Sequence, residues 1–149
     1  MVNQRYELEA ITGHRLDPND PARVEMRCQW TEGGFTWEPE EHLQLDAPRL
    51  WRSYIKTHNH RQVLGNQEDL WIVLKVKSHS KLANGLVQLR VSWVGSTEET
   101  TETESFVQKN RPQALNEYWM ALGGRKTALG SRKAKGGNDS ATAKASSVD

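Results

Sequence analysis

Val24-Glu25-Met26-Arg27-Cys28-Gln29-Trp30 recurs, class for class, as Val87-Gln88-Leu89-Arg90-Val91-Ser92-Trp93. Both stretches read Val, polar, apolar, Arg, apolar, polar, Trp, and they stand 63 residues apart. A period of two places alternate side chains on one face, the pattern of a half-buried strand. The match extends outward. Upstream, Tyr6 and His14 stand against Trp71 and His79 at an offset of 65; downstream, Pro48 and Tyr54 stand against Pro112 and Tyr118 at 64. Landmarks in one order, with offsets drifting by a residue or two, mark an internal repeat.

Each copy predicts the same unit. Residues 6–16 and 23–30 read as two antiparallel strands joined through Asp17-Pro18-Asn19-Asp20-Pro21, with residues 34–37 as a short third strand. A helix then runs from Ala47 to Lys56, with Asp46 as its N-cap and Pro48 in its first turn. Leu50, Trp51, Tyr54 and Ile55 fall on one face of it, and neither helix nor sheet can bury its apolar face alone. In the second copy the strands are residues 71–78 and 86–93, turning at Asn84-Gly85. Residues 103–107 stand as the third strand, and residues 112–122 as a helix ended by Gly123-Gly124. The predicted fold is therefore α+β: two small modules, each a curved three-stranded antiparallel sheet packed by a C-terminal helix. The expected boundaries are a first module over residues 1–58, a linker over 59–69, a second module over 70–126 and a disordered tail over 127–149. The tail carries a small basic cluster, Arg132-Lys133-Ala134-Lys135, read as solvated or as a weak phosphate-contacting or nuclear-targeting element.

The 149 residues suffice for one ordinary domain or two very small ones. Lys and Arg number 20 against 19 Asp and Glu, so the whole chain makes no electrostatic case for nucleic acid or membrane. Cys28 is the single cysteine and cannot form an internal disulfide; it reads as a buried thiol in a reducing compartment. Tryptophan is abundant, 6 against 2 Phe and 3 Tyr, and its π face suits cation recognition as well as packing. No stretch approaches the length of a membrane span. No catalytic constellation, phosphate-binding loop or metal-ligand cluster stands out. His58-x-His60 lacks companion ligands, and Cys28 lacks a neighbouring base. The expectation is a non-enzymatic protein without cofactor or metal.

The first copy resembles a chromodomain over nearly its whole length. The resemblance runs from Tyr6-Glu7-Leu8-Glu9-Ala10-Ile11 through His14-Arg15 and Gln29-Trp30 to Thr36-Trp37-Glu38-Pro39-Glu40-Glu41-His42-Leu43, and ends in the Pro48–Tyr54 helix. It implies an aromatic cage for a methylated lysine, with the histone H3 tail added as a strand at the sheet edge. A quaternary ammonium keeps its charge but has no donor, so π faces and an acidic neighbour hold it best. Carried over by position, Tyr6 and Trp30 are cage walls. Typical members place a further aromatic three residues after the tryptophan; here the segment is about three residues shorter and Gly33 stands there. Either Phe35 closes the cage or it has two walls. Glu32 is the candidate acidic neighbour, and Glu7 and Leu8 would flank the peptide. Trp37 reads as core and structural corner.

The second copy is similar, less closely, to a chromoshadow domain. That likeness implies a homodimer or a protein partner bound through the last helix, with Leu115, Trp119 and Leu122 as its apolar face. Trp71 and Trp93 occupy the two cage positions of this copy and form a candidate second pocket, the simpler reading of Trp71 being packing. The implied function is a nuclear, heterochromatin-type adaptor that reads a methylated lysine of histone H3. The alternative is a protein-interaction module of the same fold that has lost methyl-lysine binding. Nucleic acid and membrane are not expected partners. The acid-rich residues Glu98–Glu104 read as a solvated loop and edge that would repel nucleic acid or dock a basic tail.

Overall fold

The computed structural model describes residues 7–130. The molecule is α+β, and the chain divides between Trp71 and Ile72 into two units, each with its own three-stranded antiparallel sheet. In the first unit β1 (Leu8–Asp17), β2 (Asp20–Trp30) and β3 (Phe35–Pro39) pair in that order, followed by α1 (Glu40–Asp46), α2 (Pro48–Thr57) and a 3₁₀ connector (His60–Gln67). In the second, β4 (Val73–Lys81), β5 (Val87–Trp93) and β6 (Glu99–Thr103) pair likewise, followed by α3 (Glu104–Asn110), α4 (Pro112–Ala121) and one helical turn, α5 (Arg125–Ala128).

The repeat extends to irregularities of the backbone. The β1–β2 register shifts between Leu8 and Ala10 and between Ile11 and Gly13; β4–β5 shifts between Val73 and Lys75 and between Val76 and Ser78. Each pair of shifts is 65 residues apart, so the sheets bend at the same places, as bulges make them do. The core of the first unit gathers Met26, Cys28, Leu43, Trp51 and Tyr54. That of the second gathers Val73, Val76, Leu89, Val91, Val107, Leu115 and Trp119 among others. Pro48 and Pro112 each open a helix, where the missing N–H costs nothing. Gly123 and Gly124, at φ 90° and 105°, close α4, with the Gly124 N–H on the Trp119 carbonyl at 2.8 Å.

Several sequence expectations change. Each sheet is followed by two short helices rather than one. The seven residues of α1 and of α3 anchor the core through Leu43 and Val107, too few apolar positions to show a helical period. Asp46 closes α1 and is not the N-cap of α2; Ala47 stands there. The third strand of the second unit is residues 99–103, not 103–107. Phe106 and Val107 lie in α3, which Thr103 caps by accepting the Phe106 N–H at 3.1 Å. Within residues 59–69, the expected linker, His60, Arg61 and Leu64 are buried. Ala128 and Leu129 pack on the second core, so the ordered chain runs past residue 127; residues 131–149, with the basic cluster, lie outside the described residues.

Candidate functional site

Trp30 ends β2 on the face that carries Met26 and Cys28, and packs partly buried against that core. Its indole Nε1–H donates to Thr36 Oγ1 at 2.9 Å, and that hydroxyl donates to Glu38 Oε2 at 2.8 Å. Gly33 and Gly34, at φ 106° and 81°, make the turn that brings β3 back. The Thr31 N–H donates to the Glu7 carbonyl at 3.0 Å, so the chain before β1 lies beside the Trp30 corner. The second unit repeats the relay: Trp93 Nε1 donates to Thr100 Oγ1 at 2.9 Å and Thr100 to Glu102 Oε2 at 2.7 Å. The counterpart of Thr36-Trp37-Glu38-Pro39-Glu40 is thus Thr100-Thr101-Glu102-Thr103-Glu104, three residues before the stretch the sequence suggested.

Phe35 does not join Trp30. Gln29 lies opposite Phe35 and Cys28 opposite Thr36; partners across a ladder share a face and neighbours alternate. Trp30, Thr36 and Glu38 therefore point to the core side, and Phe35 and Trp37 to the outer side with Arg27 and Gln29. Phe35 is 49% exposed and the Arg27 guanidinium lies over its ring, 3.8 Å from the centroid. Trp37 stands outside the core, beneath the guanidinium of Arg15 at 4.3 Å. Tyr6 lies outside the described residues. Glu7 and Glu32 are exposed, whereas Leu8 packs against the core.

Beneath the sheet is a cluster that the sequence did not suggest. Glu40, 2% exposed, accepts the Trp51 Nε1–H at 2.8 Å and holds His60 Nε2 at 2.7 Å through the same oxygen. His14 Nδ1 is 2.6 Å from the Tyr54 hydroxyl, and Tyr54 stacks on His58 at 3.8 Å. Burial, helped by the facing His60 and His58, holds the His14 imidazole below its usual value; burial also raises the Tyr54 phenol. Burial, with the nearby Glu38 carboxylate, pushes the Cys28 thiol up to about 11, the property of an inert core cysteine. The counterparts are His79 Nδ1, 2.6 Å from the Tyr118 hydroxyl, and Glu104, which accepts from Trp119 Nε1 at 3.3 Å and Arg125 Nε at 2.7 Å. Arg125 holds the Glu104 carboxyl below the usual range.

Of the candidate second pocket, Trp71 carries the guanidinium of Arg61 on its ring at 3.5 Å; burial lowers that arginine's pKa, and its Nη2 donates to the Glu68 carbonyl at 2.6 Å. Trp93 is only 8% exposed and belongs to the second core. Of the candidate partner helix, Leu115 and Trp119 are buried against their own sheet. Among the three, only Leu122 is exposed, because a single apolar stripe on α4 is spent against β4 and the second core. Among the described residues, no group of three or more His, Cys, Asp or Glu is placed to hold a metal ion, and no helix is long and apolar enough to cross a membrane. No family model matches the chain, and no curated protein matches it.

Proposed function

We propose that the chain is a non-enzymatic chromatin adaptor of two chromodomain-like modules, working in the nucleus. The first takes an extended histone H3 tail along a sheet edge and reads a methylated lysine with Trp30. The observation that carries this reading is the fixed ring. With its N–H tied to Thr36 and Thr36 tied to Glu38, the Trp30 ring is held at one orientation at the end of β2, partly buried against the core and beside a carboxylate. A quaternary ammonium gains roughly 0.5–2 kcal/mol from an aromatic face. β1 and β3 are the edge strands of the sheet and supply the backbone groups that an added strand needs. Tyr6 belongs to the same reading on the strength of the resemblance alone.

A second reading, the same fold as a protein-interaction module without methyl-lysine recognition, is favoured by one observation: Phe35 lies on the far face and cannot close a cage with Trp30. Titrating trimethylated and unmodified histone H3 peptides against the protein and its Trp30→Ala, Tyr6→Ala and Phe35→Ala variants separates the two. The reader predicts micromolar binding that prefers the methylated peptide, is lost in the Trp30 and Tyr6 variants and is kept in Phe35→Ala. Equal affinity for both peptides leaves the second reading standing.

A further inference from the structure

The outer face of the first sheet has no role in the reading above. On it, two guanidinium groups lie over two aromatic rings, Arg27 over Phe35 at 3.8 Å and Arg15 over Trp37 at 4.3 Å from the ring centroids. Arg27 also donates to Thr12 Oγ1 at 3.4 Å, and Arg15 pairs with Glu25 at 2.7 Å. Gly13, directly opposite Arg27, adds no side chain over it. Phe35 and Trp37 are two positions apart on β3, which spaces such groups by about 6.6 Å.

The second unit shows what this face is without the rings. Arg90 stands where Arg27 does, Thr101 where Trp37 does, and Glu99 where Phe35 does. Glu99 lies 3.6 Å from Arg90 and 3.5 Å from Lys77, so one carboxylate serves two cations. In the first unit a ring replaces that carboxylate. The patch of Arg15, Arg27 and Glu25 keeps a net positive charge, and each of its guanidinium groups sits over an aromatic ring.

We propose that this outer face binds single-stranded nucleic acid with little sequence preference. A nucleotide offers both things the face is built for: a phosphate for Arg27 and Arg15, and a flat base to stack on guanidinium and aromatic planes. An acidic peptide matches the charge but brings no planes. A duplex hides its bases and is entered by a helix or ribbon rather than by a flat sheet. The charge balance of the whole chain argues against nucleic acid as a partner; the local excess of Arg15 and Arg27 over Glu25 does not.

Fluorescence anisotropy of labelled 10-nucleotide RNA and DNA single strands with the intact chain, between 50 and 200 mM NaCl, tests this. Binding is expected in the range of about 1–100 μM, with a log–log salt slope no steeper than about −1.4, the value for two phosphates. Phe35→Glu imports the arrangement of the second unit and should weaken binding about tenfold. That register position holds a glutamate in the other sheet, and a thermal melt confirms that the variant is folded. Arg27→Lys keeps the charge but loses the plane, and should weaken binding several-fold; it carries the test if Phe35→Glu fails to fold. Arg90→Gln on the second sheet should change nothing. The proposal falls if neither strand binds at 50 mM salt, if Arg27→Lys and folded Phe35→Glu bind like the parent, or if polyglutamate of equal charge competes as well as RNA.

Discussion

In the first unit a carboxylate at the start of the helical segment, Glu40, is sealed from solvent and shared by Trp51 and His60; in the second, Glu104 at the same repeat position is partly exposed and shared by Trp119 and Arg125. The two tryptophans are not equivalent in the repeat. Trp51 aligns with Leu115, and Trp119 with Ile55. What the two units keep is a carboxylate with an indole donor, supplied from different positions of the helix. What changes is the second neighbour: an imidazole nitrogen at 2.7 Å where water is excluded, and a guanidinium making two hydrogen bonds where the site opens. Exposure sets the chemistry, because a carboxylate cut off from water depends on every donor it has, whereas water covers part of the loss at an open one.

The largest expected effect follows from that contrast. Glu40→Ala removes the acceptor of the buried Trp51 N–H and the carboxylate that lies against the buried His60, and should destabilise the first unit by about 3–5 kcal/mol, whereas Glu104→Ala should cost the second about 1–2 kcal/mol, water replacing part of what is lost. Equal costs in urea titrations would break the comparison. Cys28 supplies a readout confined to the first unit. It is fully buried, and its thiol is pushed up to about 11. Alkylation at pH 8 should therefore be at least about 100-fold slower in the folded protein than in urea, and Glu40→Ala should close that gap.

A smaller effect concerns acidification. The fold holds His14 below the ordinary imidazole value of 6.5, so the folded chain binds fewer protons than the unfolded one as pH drops past that value. Stability is fully present above pH 6.5 and is lost as the pH falls through the folded-state value. His58, His60, Tyr54 and Glu40 are the groups that face it. The urea midpoint of the first unit should be lower at pH 5.5 than at pH 7.5, and the drop should shrink in His14→Gln. An unchanged drop would assign the sensitivity to another group.

The repeat, the long strands and the burial of Trp51 and Tyr54 were legible because they depend on local period and on landmarks that recur. The face of Phe35 was not. It depends on how many residues the Thr31–Gly34 turn consumes, and a shift of one residue moves a whole strand to the other side. The pairing of Glu40 with His60 was invisible for a different reason: it joins residues 20 apart in chain with no shared period. The third strand of the second unit escaped because Glu99–Thr103 consists of Glu and Thr alone, leaving no apolar signal, while the apolar Phe106-Val107 beyond it belongs to a helix. Cation–π pairs such as Arg27 with Phe35 span adjacent strands, so they become readable only once register is known.

The smallest effect separates the two units by kind rather than by size. Thr36→Val and Thr100→Val each remove the hydroxyl that joins a tryptophan N–H to a glutamate. Trp93 is buried, so losing Thr100 should cost the second unit about 1 kcal/mol in urea titration. The bond from Trp30 is exposed, water takes the place of the hydroxyl, and the cost to the first unit should stay below about 0.5 kcal/mol. If Trp30 is a ligand-facing ring held in position by the relay, the same Thr36→Val change should instead weaken methylated-peptide binding several-fold, because a freed indole must be ordered again on binding. A Thr36 variant with unchanged peptide affinity but a stability loss matching that of Thr100 would make both relays packing devices, and would remove the distinction between a Trp that recognises and one that only fills its core.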